Sequence, residues 1–162
     1  MQPFAIDQTA SDPNDDDDSL VTVDLIAQMV DNLFTAMLEM DVDASPIAPP
    51  ELDAETLSAS IQISGERSAL IQVFASHDLA TKIATAMFAT EASDLAEEEI
   101  LDALGEVVNV IGGNVKGVYD QECALSLPCV GTIQTPLADN AMTTAFDLGG
   151  EPITVLFKER TQ

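Results

Sequence analysis

Basic residues are scarce in this sequence. Its 162 residues include 5 lysines and arginines against 29 aspartates and glutamates, which gives a formal net charge of −24 at pH 7. A negative field of this size repels nucleic acids and anionic membrane surfaces, so we expect neither as a partner. The charge is compatible with a salt-rich cytoplasm or a basic partner, and a general solubility trait is the simpler explanation.

Residues that bind metals or form disulfides are also few. The chain has one histidine and two cysteines, and Cys123 and Cys129 lack the CxxC spacing of zinc and redox motifs. An acidic run from Asp12 fails as an EF-hand, because Asp17 stands where the loop needs glycine and Val23 where it needs glutamate. The sequence therefore predicts no metal site and two reduced, mostly packed thiols.

No export signal or membrane span is visible. The N-terminus lacks the basic and apolar regions of a signal peptide, and no later apolar run approaches the roughly 20 residues of a span. We therefore expect a cytoplasmic protein. Residues 1–18 hold six aspartates and no basic residue, which predicts an acidic disordered tail, and residues 19–162 are expected to form one domain.

The hydrophobic pattern predicts an α+β fold. A helix of about five turns is expected from near residue 20, followed by a proline-rich connector. The later predicted elements are strands at 57–64 and 69–76, a helix at 77–89, a long helix capped by Asp94 and ending near Val118, and strands within 124–136 and 142–159. Gly149 and Gly150 are placed to turn the last stretch into a hairpin. This order favours a largely antiparallel sheet packed with long helices.

The predicted long helix has two different faces. At about 100° per residue, a buried seam is formed by Leu104, Val108, Ile111 and Val115. The opposite side carries Asp102, Glu106, Asn109 and Gly113. A polar outer face is common, but glycines inside a helix each cost about 1 kcal/mol relative to alanine. Gly112 and Gly113 therefore either open the approach to Glu106 and Asn109 or pack closely within the domain.

This segment, DALGEVVNVIGGNVK, together with LSLPCV downstream, resembles the CheX branch of the CheC/CheX/FliY phosphatases of bacterial chemotaxis. The family pattern is D/SxxxExxN on a long helix, followed later by a proline. The matching residues are Asp102, Glu106, Asn109 and Pro128, and Gly112, Gly113 and Lys116 fit the usual continuation. The order of elements also fits, so the resemblance extends from about residue 20 to about residue 157.

The resemblance implies that the chain removes the phosphoryl group from the phospho-aspartate of a receiver domain, typically CheY. The partner would supply the aspartate and Mg²⁺, and the phosphatase would need no cofactor of its own. Asn109 would hold the attacking water, and Glu106 would form an ion pair with a receiver lysine. The supporting or partner-binding residues would be Asp102, Gly112, Gly113, Lys116 and Pro128. The resemblance also implies a homodimer paired through its sheets.

Other functions have less support in the sequence. A non-catalytic adaptor of the same fold stays open, although it would not require both Glu106 and Asn109. A self-contained hydrolase is disfavoured because His77 is the only histidine and Ser126 lacks a GxSxG context. CheC-type members carry a second site on the first helix, but here Asp24, Gln28 and Asp31 occupy the corresponding run. We therefore expect a single site.

Overall fold

Helices and strands occur in separate blocks along the chain. The computed structural model describes residues 20–132 and 141–161, so the predicted acidic tail at 1–18 lies outside the described residues. The helices are α1 (Val23–Asp31), α2 (His77–Phe88) and α3 (Glu97–Val118). The strands are β1 (Asp43–Ile47), β2 (Leu57–Gly65), β3 (Arg67–Ala75), β4 (Cys123–Leu125), β5 (Cys129–Thr132), β6 (Met142–Leu148) and β7 (Glu151–Thr161). The boundary expected at residue 19 stays a prediction.

The strands form one antiparallel sheet. Its order is β1-β6-β7-β3-β2-β4, and β5 also pairs with β2. Along β2, strand β4 pairs near one end, with Ile63 opposite Leu125, and β5 pairs near the other, with Leu57 opposite Thr132. The predicted α+β fold with a largely antiparallel sheet is confirmed.

The β6–β7 hairpin closes with a two-residue loop. Leu148 pairs with Glu151, and between them Gly149 and Gly150 have φ angles of +65° and +96°. Two consecutive positive φ angles are the requirement of the type I′ hairpin turn, which glycine meets without steric cost. The predicted hairpin at these glycines is therefore confirmed.

The helical seam of α3 packs against the sheet. Leu104, Val108, Ile111 and Val115 are fully buried, as the periodicity predicted. On β2 the alternation is equally clear, with Leu57, Ala59, Ile61 and Ile63 buried. Burying one aliphatic side chain of this size contributes about 1.5 to 3 kcal/mol. The free energy gained by packing the seam is therefore larger than the helix propensity lost at the glycines of α3.

The N-terminus of α3 differs from the prediction by two residues. Ala96, not Asp94, is the N-cap, and Asp94 lies in a short 3₁₀-helix, Ala92–Asp94. The Glu99 carboxylate accepts a hydrogen bond from the Ala96 backbone N–H at 3.0 Å. A capping box has two hydrogen bonds, and the one from the N-cap backbone N–H to the glutamate needs no side chain at the N-cap. Alanine can therefore occupy this position. The glutamates of the first turn also complement the positive end of the helix dipole.

The C-terminus of α3 is attached to the sheet by Tyr119. Its hydroxyl donates to Glu159 Oε2 on β7 at 2.6 Å, and Arg67 Nη1 on β3 donates to Glu159 Oε1 at 3.0 Å. The Arg67 guanidinium also lies over the Tyr119 ring, 5.9 Å from its centroid. Burial, and next the hydrogen bond to Glu159, raise the pKa of Tyr119. This cluster fixes the end of α3 relative to β3 and β7.

Three other element predictions need correction. The proline-rich connector contains a strand, β1, which pairs with β6 at the sheet edge, where Pro46 is tolerated. The alternating stretch 124–136 is interrupted, because β4 and β5 are separated at residues 126–128, and residues 133–136 lie outside the described part. The first helix is α-helical only to Asp31 and continues as a π-helix over Asn32–Met37.

Candidate functional site

The predicted polar ridge lies on the solvent side of α3. Asp102 and Glu106 are exposed, and Asn109 is half-buried. The three side chains follow one another along about 10.5 Å of the helix, since each residue rises about 1.5 Å. Glu106 and Asn109 have no side-chain hydrogen bond or ion pair with any of the described residues. Both polar groups are therefore available to an outside partner.

The two central glycines of α3 have different surroundings. A Cβ atom on Gly112 would lie 2.9 Å from Ile61 Cγ2 and 3.2 Å from Leu125 Cδ1, so this position is filled by β2 and β4. A Cβ atom on Gly113 would meet nothing within 4 Å. Close packing within the domain therefore accounts for Gly112. Gly113 is exposed and leaves the approach to the ridge open.

The downstream proline, Pro128, packs against a third glycine of α3, Gly105. A Cβ atom on Gly105 would lie 3.1 Å from Val130 Cγ2 and 3.5 Å from Pro128 Cβ. Pro128 therefore packs onto the helix beside Glu106, but it is half-buried and contacts its own domain. Its contact with Gly105 is within the domain, and its role in the site stays a prediction.

The segment Leu125–Pro128 runs along α3 between these contacts. Leu125 lies at Gly112 and Pro128 lies at Gly105, seven helical residues away. Seven residues of helix rise about 10.5 Å, which three extended residues span at about 3.3–3.6 Å each. The segment therefore spans the stretch of α3 in which Asn109 lies, between Gly105 and Gly112.

Hydrogen bonds to β2 hold this segment in place. The Ser126 backbone N–H donates to the Gln62 carbonyl at 2.9 Å. In return, the Gln62 backbone N–H donates to Ser126 Oγ at 2.9 Å. The ridge therefore combines a rigid helix, a fixed neighbouring segment and two unengaged polar groups. An amide and a carboxylate one turn apart on such a frame can orient a water molecule and bind a cation.

The comparison with protein families identifies the chain. Residues 57–155 match the family described as "Chemotaxis phosphatase CheX", a range that runs from β2 into β7 and includes all of α3. This chain belongs to the CheX family. The resemblance found in the α3 sequence is therefore confirmed. A search of curated proteins found no match.

Solved CheX structures share this fold. CheX from Vibrio vulnificus aligns with a TM-score of 0.69 and 14% identity, covering 88% of this chain and 99% of that one. CheX from Desulfovibrio desulfuricans aligns with a TM-score of 0.64 and 19% identity, covering 83% of this chain and 96% of that one. A structure of the CheX-CheY-BeF3-Mg²⁺ complex from Borrelia burgdorferi aligns with a TM-score of 0.67 and 16% identity, covering 88% and 99%.

Charge on the ridge of this CheX chain is mostly negative. Glu98, Asp102 and Glu106 are exposed along α3, and Lys116 is the helix's single basic residue, also exposed. No ion pair with the described residues involves Lys116. The run on α1 differs, since the Asp31 carboxylate accepts a hydrogen bond from Thr35 Oγ1 at 3.1 Å. That carboxylate is already engaged, unlike Glu106.

In the described part of this CheX-family chain, the other residues that could bind a metal or act in catalysis are not clustered. His77, at the start of α2, places Nε2 2.9 Å from Glu97 Oε2 and so links the beginnings of α2 and α3. Within residues 20–132 and 141–161, no group of three His, Cys, Asp or Glu side chains is arranged to hold a metal. Both cysteines are free, but Cys129 is exposed, so its predicted packing is wrong. None of the described helices is long and apolar enough to cross a bilayer.

Sequence reasoning missed one feature beside the ridge. Leu127, between Ser126 and Pro128, is 88% exposed. Hydrophobic alternation predicts that such a leucine lies within a strand, whereas β4 ends at Leu125 and β5 begins at Cys129. The one available signal is the neighbouring proline, which disfavours an uninterrupted strand.

Proposed function

We propose that this CheX-family chain hydrolyses the phospho-aspartate of a CheY-type receiver domain in chemotaxis or two-component signalling. The observation that supports it best is the unengaged pair of Glu106 and Asn109, one turn apart on an open and rigid helix. Family membership supports the reaction class, and the B. burgdorferi CheX complex with CheY supports the class of partner.

Asn109 would act on the attacking water. Its amide would hold the water in line with the phosphorus atom, and the phosphorus bond to the aspartate oxygen would break as the bond to water forms. The aspartate leaves as a carboxylate with the electron pair, and the proton from water passes to phosphate or solvent. Because a carboxylate with a pKa near 4 is a good leaving group, no general base is required from this chain.

Glu106 would dock the partner. Its exposed carboxylate would pair with a lysine of the receiver, while the open position at Gly113 lets the receiver approach. Asp102 and Lys116 would contribute to the local field beside the contact. The receiver would also bring Mg²⁺, which neutralises charge on the phosphoryl oxygens, so the chain itself would carry no cofactor.

We further propose a homodimer that forms through a sheet edge. The residues of β1 are mostly exposed at one edge, and β4 and β5 lie at the other. An unpaired strand edge offers backbone donors and acceptors to a second copy. Sedimentation analysis of the purified chain would give the mass that decides between monomer and dimer.

The test is phosphoryl decay on CheY-type receivers from the same organism, with Mg²⁺ present. Wild-type chain should accelerate the decay. Asn109→Ala should fold normally and lose about 2 to 4 kcal/mol of transition-state stabilisation, or about 30- to 1000-fold in rate. The matched control is Asn114→Ala, an exposed amide on the same helix, which should keep full activity.

Two outcomes would contradict the proposal. Full activity in Asn109→Ala would remove Asn109 from the mechanism. If no receiver decays faster although one binds, the chain is an adaptor and the ridge is only a docking surface. Glu106→Gln, compared with Glu98→Gln, separates docking from chemistry, because loss of the ion pair should raise KM more than it lowers kcat.

A further inference from the structure

Leu127 is an unusual surface residue. It is 88% exposed, and the next large apolar side chain by exposure in the described part of the chain, Met37, is 63% exposed. Single exposed apolar residues are common on protein surfaces and need no explanation by themselves. The surroundings of Leu127, however, are neither flexible nor remote from the candidate site.

The backbone on both sides of Leu127 is fixed. On one side, Ser126 exchanges two hydrogen bonds of 2.9 Å with Gln62, and Ser126 Oγ also contacts the Leu127 carbonyl at 3.1 Å. On the other side, Pro128 has a restricted φ angle and packs at Gly105. Leu127 is therefore held outward by a preorganised segment, which lowers the entropy lost when a partner covers it.

Leu127 also belongs to the segment that runs along the two turns of α3 on which Glu106 and Asn109 lie. The Leu125–Pro128 segment passes Asn109 between its contacts at Gly112 and Gly105. A receiver domain that covers Asn109 would therefore also extend over this segment. The ridge thus has a half-buried amide on the helix and a solvated apolar side chain on the adjoining segment.

Charge alone gives poor attraction for the proposed partner. The chain carries a net charge of −24, and Asp102 and Glu106 add negative charge at the site itself. A receiver pocket built from carboxylates and a phosphoryl group is also acidic. An apolar contact avoids this repulsion, because the hydrophobic effect does not depend on the sign of charge.

We propose that Leu127 is a docking contact for the receiver domain, inserted into an apolar patch that borders the phosphorylated aspartate. The inference rests on the proposed function and deepens it. Leu127 and Glu106 both supply binding, one by an apolar contact and the other by an ion pair, and Asn109 acts in the chemical step. A large apolar side chain at the edge of a reactive centre can act as an anchor that excludes water from the contact.

The decisive experiment measures KM and kcat separately for receiver dephosphorylation. Leu127→Ser should raise KM at least tenfold and leave kcat within about twofold, since it removes binding and leaves Asn109 in place. Leu127→Met, which restores an apolar side chain, should recover most of the affinity. Met37→Ser is the matched control, because Met37 is exposed but lies at the end of the π-helix, and it should change neither constant.

Binding to a receiver activated with BeF3 and Mg²⁺ tests the contact independently of hydrolysis. If the chain binds without hydrolysing, the proposed function fails, and weaker binding by Leu127→Ser still supports the docking contact. An unchanged KM and an unchanged affinity in Leu127→Ser would overturn the inference. So would a change from dimer to monomer in that variant, which would assign Leu127 to contact with a second copy. Absence of binding to every receiver would overturn both proposals.

Discussion

At the scale of single residues, two neighbouring glycines of α3 have opposite surroundings. Gly112 is enclosed by Ile61 and Leu125, whereas Gly113 is open to solvent. The cost of glycine in a helix is the same at both positions, so the difference between them comes entirely from what surrounds each Cα. This makes the pair an internal test of whether a glycine serves packing or access.

We expect alanine to destabilise the protein at Gly112 and to stabilise it at Gly113. A methyl group at Gly112 would overlap Ile61 Cγ2 at 2.9 Å, and Ile61 is buried in β2 and cannot move aside. Overpacking costs about 1 to 3 kcal/mol, which exceeds the roughly 1 kcal/mol gained in helix propensity. Gly113→Ala keeps that gain. Urea unfolding of both variants gives the free energies directly.

The activity of Gly113→Ala tests a second property, the access of the receiver to the ridge. If the open position lets the receiver approach the ridge, this variant should be more stable than wild type and yet have a higher KM. A stabilised variant with an unchanged KM would contradict the role of Gly113 in access. Gly117→Ala is a suitable control, since that position is also open but lies one turn further from Asn109.

At the scale of elements, the two ends of α3 are fixed by different chemistry. The N-terminus has its own glutamate cap, while the C-terminus depends on Tyr119, Glu159 and Arg67, which join three elements. The pKa of Tyr119 is raised in the folded state, so folding favours its protonated form. Stability from this group is fully present below the unfolded pKa, near 10, and is lost as the pH rises further.

We predict that Tyr119→Phe removes this alkaline loss of stability. At neutral pH the variant should lose about 1.5 to 3 kcal/mol, because Glu159 loses a hydrogen bond to a charged acceptor. As the pH rises to about 11, wild type should approach the stability of the variant. Denaturant unfolding at both pH values checks this. Since Tyr119 is the only tyrosine, tyrosinate absorbance reports its pKa without interference, and an ordinary pKa would contradict the prediction.

The elements that sequence predicts well are those defined by their own periodicity. The seam of α3 and the alternation of β2 follow from local spacing, and Gly149–Gly150 has a local turn requirement. By contrast, β1 is strand only because β6 provides a partner for its short, polar and proline-containing segment. Pairing of this kind cannot be seen within the segment itself.

The candidate site could likewise be predicted only where local spacing defines it. Glu106 and Asn109 could be placed on one helix from their spacing, and the family pattern gave them a role. The path of the Leu125–Pro128 segment along α3 could not be predicted, because the segment is held by the hydrogen bonds of Ser126 to β2. The different surroundings of Gly112 and Gly113 could not be predicted either, because they depend on the sheet: Gly112 faces β2 and Gly113 faces solvent.

At the scale of the whole molecule, the net charge affects how the chain meets a partner more than it affects the fold. All five basic residues lie within the described part, and three of them, Arg67, Lys158 and Arg160, are on β3 and β7 rather than on α3. Lys116 alone balances the carboxylates of the ridge helix. The site therefore sits in a negative field that its own helix scarcely offsets.

This field predicts that salt should strengthen the interaction with an acidic receiver. At low ionic strength the two negative surfaces repel over about 30 Å, whereas at physiological salt the screening length falls to about 8 Å. We expect KM for receiver dephosphorylation to fall as NaCl rises from about 10 mM to about 150 mM, with kcat nearly constant, because Asn109 acts after contact is made. An uncharged osmolyte at matched osmolality controls for hydration. A KM that rises with salt would mean that attraction between Glu106 and a receiver lysine outweighs the long-range repulsion, and Glu106→Gln would then abolish the salt dependence.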